Sequence, residues 1–170
     1  MKRLFVISVF LTVCACAADW PAWVLDPPTE LGMAAGDCVP WSGSISLDRQ
    51  QVAAHARLAL AQQISVQIKG MDKTYAARVD NGQSPKLSTS FESTSQQTVD
   101  AALTGSRLSK VEVVDTPTGK FLCGLVTLAQ DADKRIVRTV MQSAGVPPEG
   151  EVEELLLAKF RSRSSARPAP

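Results

Sequence analysis

The chain has 170 residues, 18 basic and 17 acidic side chains, a formal net charge of +1, and 45% hydrophobic residues. That is one domain's worth of chain with enough apolar material for a core, which excludes disorder for most of it. The near balance of charge excludes a nucleic-acid binder driven by global attraction to phosphate. One histidine and four cysteines leave little for a metal site or a histidine-dependent active site.

Met1-Lys2-Arg3 is a short basic start, and Leu4 to Val13 is an apolar run of ten residues. The run is too short for a bilayer, which needs about 20 residues, and has the length of a signal-peptide h-region. Residues 1–15 therefore read as a signal peptide. Two cleavage chemistries fit the junction. Val13-Cys14-Ala15-Cys16 has the form of a bacterial lipobox, with Cys16 as the lipidated mature N-terminus; Cys14 stands where alanine, serine or threonine is usual. Ala15-Cys16-Ala17 also fits an ordinary A-x-A site, which would release a soluble periplasmic protein. The lipobox is the preferred reading. Three acyl chains, at about 0.8 kcal/mol per buried methylene, would hold the protein on a membrane. Ala17 follows the cysteine, so the aspartate that retains lipoproteins in the inner membrane is absent there, which points to the outer membrane.

Residues 16–30 form a Pro- and Trp-rich segment. Its prolines are expected to forbid a helix and to favour an extended or turned path. Leu31 to Cys38 is small and apolar, a short strand, with Pro40 to Ser44 as a turn. Leu47 to about Lys69 is the clearest element. Val52, Ala56, Leu60, Ile64 and Ile68 repeat every four residues, Asp48 and Gln51 have capping-box spacing, and Gly70 is the expected stop. Asp72 to Lys86 reads as a polar connection with an Asn81-Gly82 turn. Ser88 to Leu103 reads as a second helix with Phe91, Ser95, Thr98, Val99 and Ala102 on one face.

Arg107 to Val114 alternates apolar and polar, Asp115 to Gly119 reads as a five-residue hairpin loop, and Lys120 to Leu128 is the returning strand. Asp131 to Ala144 is a third helix, stopped by Gly145, with Val137, Val140, Met141 and Ala144 inward. Glu151 to Phe160 is a fourth, acidic at its start and basic at its end, which suits the helix dipole. Ser162 to Pro170 reads as a disordered tail. The expected fold class is α+β: a small antiparallel sheet with helices on one face, plus C-terminal helices over 129–161.

No catalytic constellation, cofactor motif or metal-ligand spacing is legible. His55 lies beside the apolar stripe of the long helix and reads as a partly exposed helix residue, with no sequence neighbour to make it a base or a metal ligand. Glu149, Glu151, Glu153 and Glu154 read as a solvated helix start. Cys38 and Cys123 both fall in expected strands. In an oxidising compartment they could form a bridge closing 85 residues, or stay as buried thiols. Trp20, Trp23 and Trp41 either fasten the N-terminal segment to the domain or, at Trp20, offer a surface for a partner. Arg161, Arg163 and Arg167 make a basic end that is either solvated or drawn to anionic lipid.

The order of motifs resembles the LPP20 family of bacterial lipoproteins. Those motifs are the W-x-x-x-P-P segment at Trp23 to Pro28, the small Ala-Gly strand at Ala34 to Gly36 and the helix Ala53 to Ile68. A polar Ser/Thr helix then leads into L-x-G at Leu103 to Gly105, followed by the hairpin. The resemblance covers roughly Asp19 to Leu128, with 31–128 as the family-like domain. It implies an α+β fold, no catalytic residue, lipid attachment at Cys16, and an outer-membrane protein acting through contacts with envelope or flagellar proteins, self-association included. The competing expectation is a soluble periplasmic module that binds glycan or peptide.

Overall fold

The computed structural model describes residues 20–28, 32–79, 96–143, 145, 147–148 and 150–164. The fold is α+β: a three-stranded antiparallel sheet with helices packed on it. Strand β1 (Ala34–Pro40), β2 (Arg107–Thr116) and β3 (Gly119–Thr127) lie in the order β1-β3-β2. The most apolar strand, β3, is therefore central, and the two more polar strands are edges.

Alternation assigns the two faces. Leu122, Gly124 and Val126 of β3 point toward the long helix α2 (Ile45–Val79), while Cys123 and Leu125 point to the outer face. The period-four stripe of α2, Val52, Ala56, Leu60, Ile64 and Ile68, is fully buried. Gly124 is where α2 comes closest: a Cβ there would lie 2.9 Å from Val52 Cγ1 and 3.0 Å from Leu108 Cδ1.

At 1.5 Å per residue α2 is about 52 Å long, far longer than a strand of seven to ten residues. Its second half needs other cover. Helix α3 (described over 96–104), α4 (Ala132–Ser143) and α5 (Glu151–Ser164) supply it. Val99, Ile136, Val140, Met141, Leu156 and Phe160 join Leu60, Ile64, Ile68 and Met71 in one cluster. A smaller cluster, Val39, Val52 and Leu122 with Trp41, closes the other end.

Several elements differ from the sequence expectation. Residues 22–25 form a one-turn helix, α1, where prolines were expected to forbid one. Pro21 sits at its N-cap, where no intrahelical N–H is needed, and Pro27-Pro28 follow the end rather than interrupt it. Helix α2 starts at Ile45 and runs through Gly70. Gly70 is buried, lacks the positive φ of a C-terminal stop, and is followed by residues that carry the helix to Val79. Asp48 is not half of a capping box: its carboxylate accepts hydrogen bonds from Ser42 N at 3.0 Å and Ser42 Oγ at 2.6 Å, tying the preceding turn to the helix.

The hairpin is tighter than a five-residue loop. Thr116 pairs with Gly119 across Pro117-Thr118, and Thr116 Oγ1 donates to Gly119 O at 2.8 Å. Pro117 fixes φ near −65°, so the primed turns are unavailable, and Gly119 takes the positive φ instead. Helix α5 continues to Ser164, so residues 162–164 are helical rather than part of a loose tail. The Asn81-Gly82 turn, Phe91, Ser95 and residues 165–170 lie outside the described residues.

Candidate functional site on the outer face of the sheet

The face of the sheet away from α2 carries the one-turn helix α1. Its seat is Gly36: a Cβ there would lie 2.9 Å from Val24 Cα, so the absence of a side chain lets α1 rest on β1. Trp20 packs edge-on against Phe121 with ring centroids 5.2 Å apart. Trp23 Nε1 donates to Glu112 Oε2 at 3.2 Å, Lys110 Nζ stands 4.7 Å from the centre of the Trp23 ring, and Lys110 and Glu112 are 3.4 Å apart. The indole is thus held by a hydrogen bond at its edge and a cation on its face. Both tryptophans fasten the N-terminal segment to β2 and β3. Trp41 packs on the smaller core cluster of Val39, Val52 and Leu122.

Next to this seat, Cys38 and Cys123 are directly opposed in the β1–β3 ladder and joined in a disulfide, with Cα atoms 4.0 Å apart. Period-two alternation puts both side chains on the outer face, and the antiparallel register makes them neighbours. The sequence could not supply this register. Cys16 lies outside the described residues.

His55 is exposed on α2, but it has a neighbour the sequence does not reveal: Asp37 Oδ2 of β1 lies 3.9 Å from its Nδ1. Asp37 Oδ1 also accepts from Cys38 N at 2.7 Å. The acidic start of α5 is not simply solvated. Glu153 is buried and accepts from Arg138 Nε of α4 at 2.7 Å, locking α4 to α5. Arg161 donates to Asp133 at 2.6 Å, so it too belongs to that lock rather than to a free basic end. The Arg163 side chain, Arg167 and Glu149 lie outside the described residues.

Among the described residues no group of three or more His, Cys, Asp or Glu side chains is arranged to hold a metal ion. No described helix is long and apolar enough to cross a membrane. A cleft of about 190 Å³ separates 96–104 from α4, and its buried Thr98 hydroxyl has no hydrogen-bond partner. Comparison with known proteins finds no family model and no curated protein that matches this chain.

Proposed function

We propose that the protein is a non-enzymatic, lipid-anchored component of the cell envelope, attached to the outer membrane through Cys16 and acting through protein contacts. Assembly at the flagellar motor or elsewhere in the outer membrane, as the LPP20 resemblance implies, is the most concrete form of that role. The observation that carries the reading is the Cys38–Cys123 disulfide. Such bonds persist in exported proteins and are rare in a reducing cytosol. A bridge inside the folded sheet therefore fits the export implied by the Leu4–Val13 run.

The Trp20 seat supports the lipid form of export. Trp20 follows Cys16 by four residues, which at 3.3–3.6 Å each reach about 14 Å. A lipid at Cys16 would hold the outer face of the sheet close to the bilayer.

Growth of expressing cells with an alkyne fatty acid tests the anchor. Wild type is expected to take up label and to partition with the outer membrane, and Cys16→Ser to remain unlabelled. An unlabelled wild type found in the soluble periplasm would replace this reading with cleavage at Ala15-Cys16-Ala17.

A further inference from the structure

We infer that the free edge of β2 docks antiparallel onto the β2 edge of a second copy, centred on Val111, to make a six-stranded sheet across two subunits. The inference deepens the proposed role by naming one protein contact as self-association.

The ladder shows which backbone groups are available. The Cα atoms of Cys38 and Cys123 are 4.0 Å apart, the spacing of a pair that does not exchange hydrogen bonds. Odd-numbered residues of β3 therefore turn their N–H and C=O toward β2, and even-numbered ones toward β1. The bonds Trp41 N→Lys120 O and Leu128 N→Met33 O, both made on the β1 side, give the same parity. Lys110, Glu112 and Val114, paired with Leu125, Cys123 and Phe121, then face β3. Val111, Val113 and Asp115 turn their backbone groups outward.

The two edges of the sheet are not alike. On β1, Pro40 lacks an N–H and the outward N–H of Cys38 is taken by Asp37. Such features keep an edge from pairing. From Lys110 to Thr116, β2 contains no proline, and no described element lies along its outer side. The register shift at Ser109 ends the regular stretch on the N-terminal side. Val113 is 44% exposed.

Two-fold registers centred on residues 111 to 115 each bring outward residues opposite each other; one centred on Val114 pairs no opposite charges, and one centred on Asp115 sets that carboxylate against its own copy. One centred on Glu112 sets Glu112 against its own copy, and like charges directly opposite are destabilising. One centred on Val113 sets Asp115 against Val111 and leaves Lys110 opposite Thr116. One centred on Val111 sets Val111 against Val111 and places Lys110 opposite Glu112 twice, by symmetry. Charge complementarity selects the register centred on Val111.

The same two-fold places the anchors. Opposed residues of an antiparallel ladder put their side chains on one face, so the axis runs through the sheet from face to face. Both α1 helices, and both Trp20 residues four positions after Cys16, then lie on the same side. Two lipid anchors on one side can enter one bilayer.

Charge reversal tests the pairing by sedimentation of the full chain in density-matched detergent. Wild type is expected to be dimeric. Lys110→Glu and Glu112→Lys are each expected to be monomeric at the same concentration, because each sets like charges opposite twice. Mixed together, the two variants are expected to form a heterodimer, since every opposed pair is again of opposite sign. A monomeric wild type, single variants that stay dimeric, or a mixture that stays monomeric would each overturn the proposal. Hydrogen exchange gives a readout that needs no variant. The amide of Val111 should exchange more slowly as wild-type concentration rises, and concentration-independent exchange counts against the interface. Fatty-acid labelling at Cys16 is read separately, so failure of the dimer and failure of the anchor are distinguishable.

Discussion

Two glycines set the thickness of the molecule, each by what it lacks. Gly124 admits α2 to the inner face and Gly36 admits α1 to the outer one. Their alanine variants should fail differently. At Gly124 the new methyl meets Val52 and Leu108 inside a closed core, so overpacking should cost about 1–3 kcal/mol in urea denaturation. At Gly36 it meets the backbone of a four-residue helix that can lift away. Gly36→Ala should therefore shift tryptophan emission to longer wavelength, as Trp20 and Trp23 become wetter, with a smaller loss of stability. An unchanged emission maximum would show that α1 does not rest there. Asp48 is a third singular residue: it is fully buried, and its carboxylate holds Ser42 through two hydrogen bonds. Asp48→Ala leaves the Ser42 N–H without this acceptor and should cost about 1–3 kcal/mol, read from the urea midpoint.

At the scale of elements, legibility followed periodicity. The stripe from Val52 to Ile68 repeats at the helical period, and every member is buried, so that face of α2 could be read before any coordinates. The hairpin strands were legible for the same reason, through alternation. The end of α2 was not, because a glycine stops a helix only where the chain turns left-handed, and at Gly70 it stays helical. The α1 turn was hidden by prolines that flank it rather than break it. The links His55–Asp37 and Arg138–Glu153 join different elements, and no local pattern encodes them. Because α2 touches both the sheet and the C-terminal helices, truncating its middle should damage both. Leu60→Ala removes a fully buried side chain and should cost about 2–5 kcal/mol, with a single cooperative thermal transition retained. Two separate transitions would show that the C-terminal helices melt apart from the sheet.

For the whole molecule the disulfide is a long-range covalent constraint. It joins residues 85 apart and encloses the last three residues of β1, the first five of β3, all of β2, and helices α2 and α3. Cross-linking a loop of that size removes entropy chiefly from the unfolded chain, for about 2–5 kcal/mol of stabilisation. The bond also fixes register: a one-residue slip of β1 would bury the wrong face and pull the two cysteines apart. Its loss should therefore lower stability without rearranging the fold. Cys38→Ala/Cys123→Ala, and wild type reduced with thiol, should both show a lower urea midpoint with an unchanged far-ultraviolet circular dichroism spectrum. Equal midpoints would mean that the β1–β3 ladder and the α2 stripe already hold the chain unaided. A lower midpoint makes folding depend on oxidation, and couples the stability of the outer face, where α1 is seated, to the redox state of the surroundings.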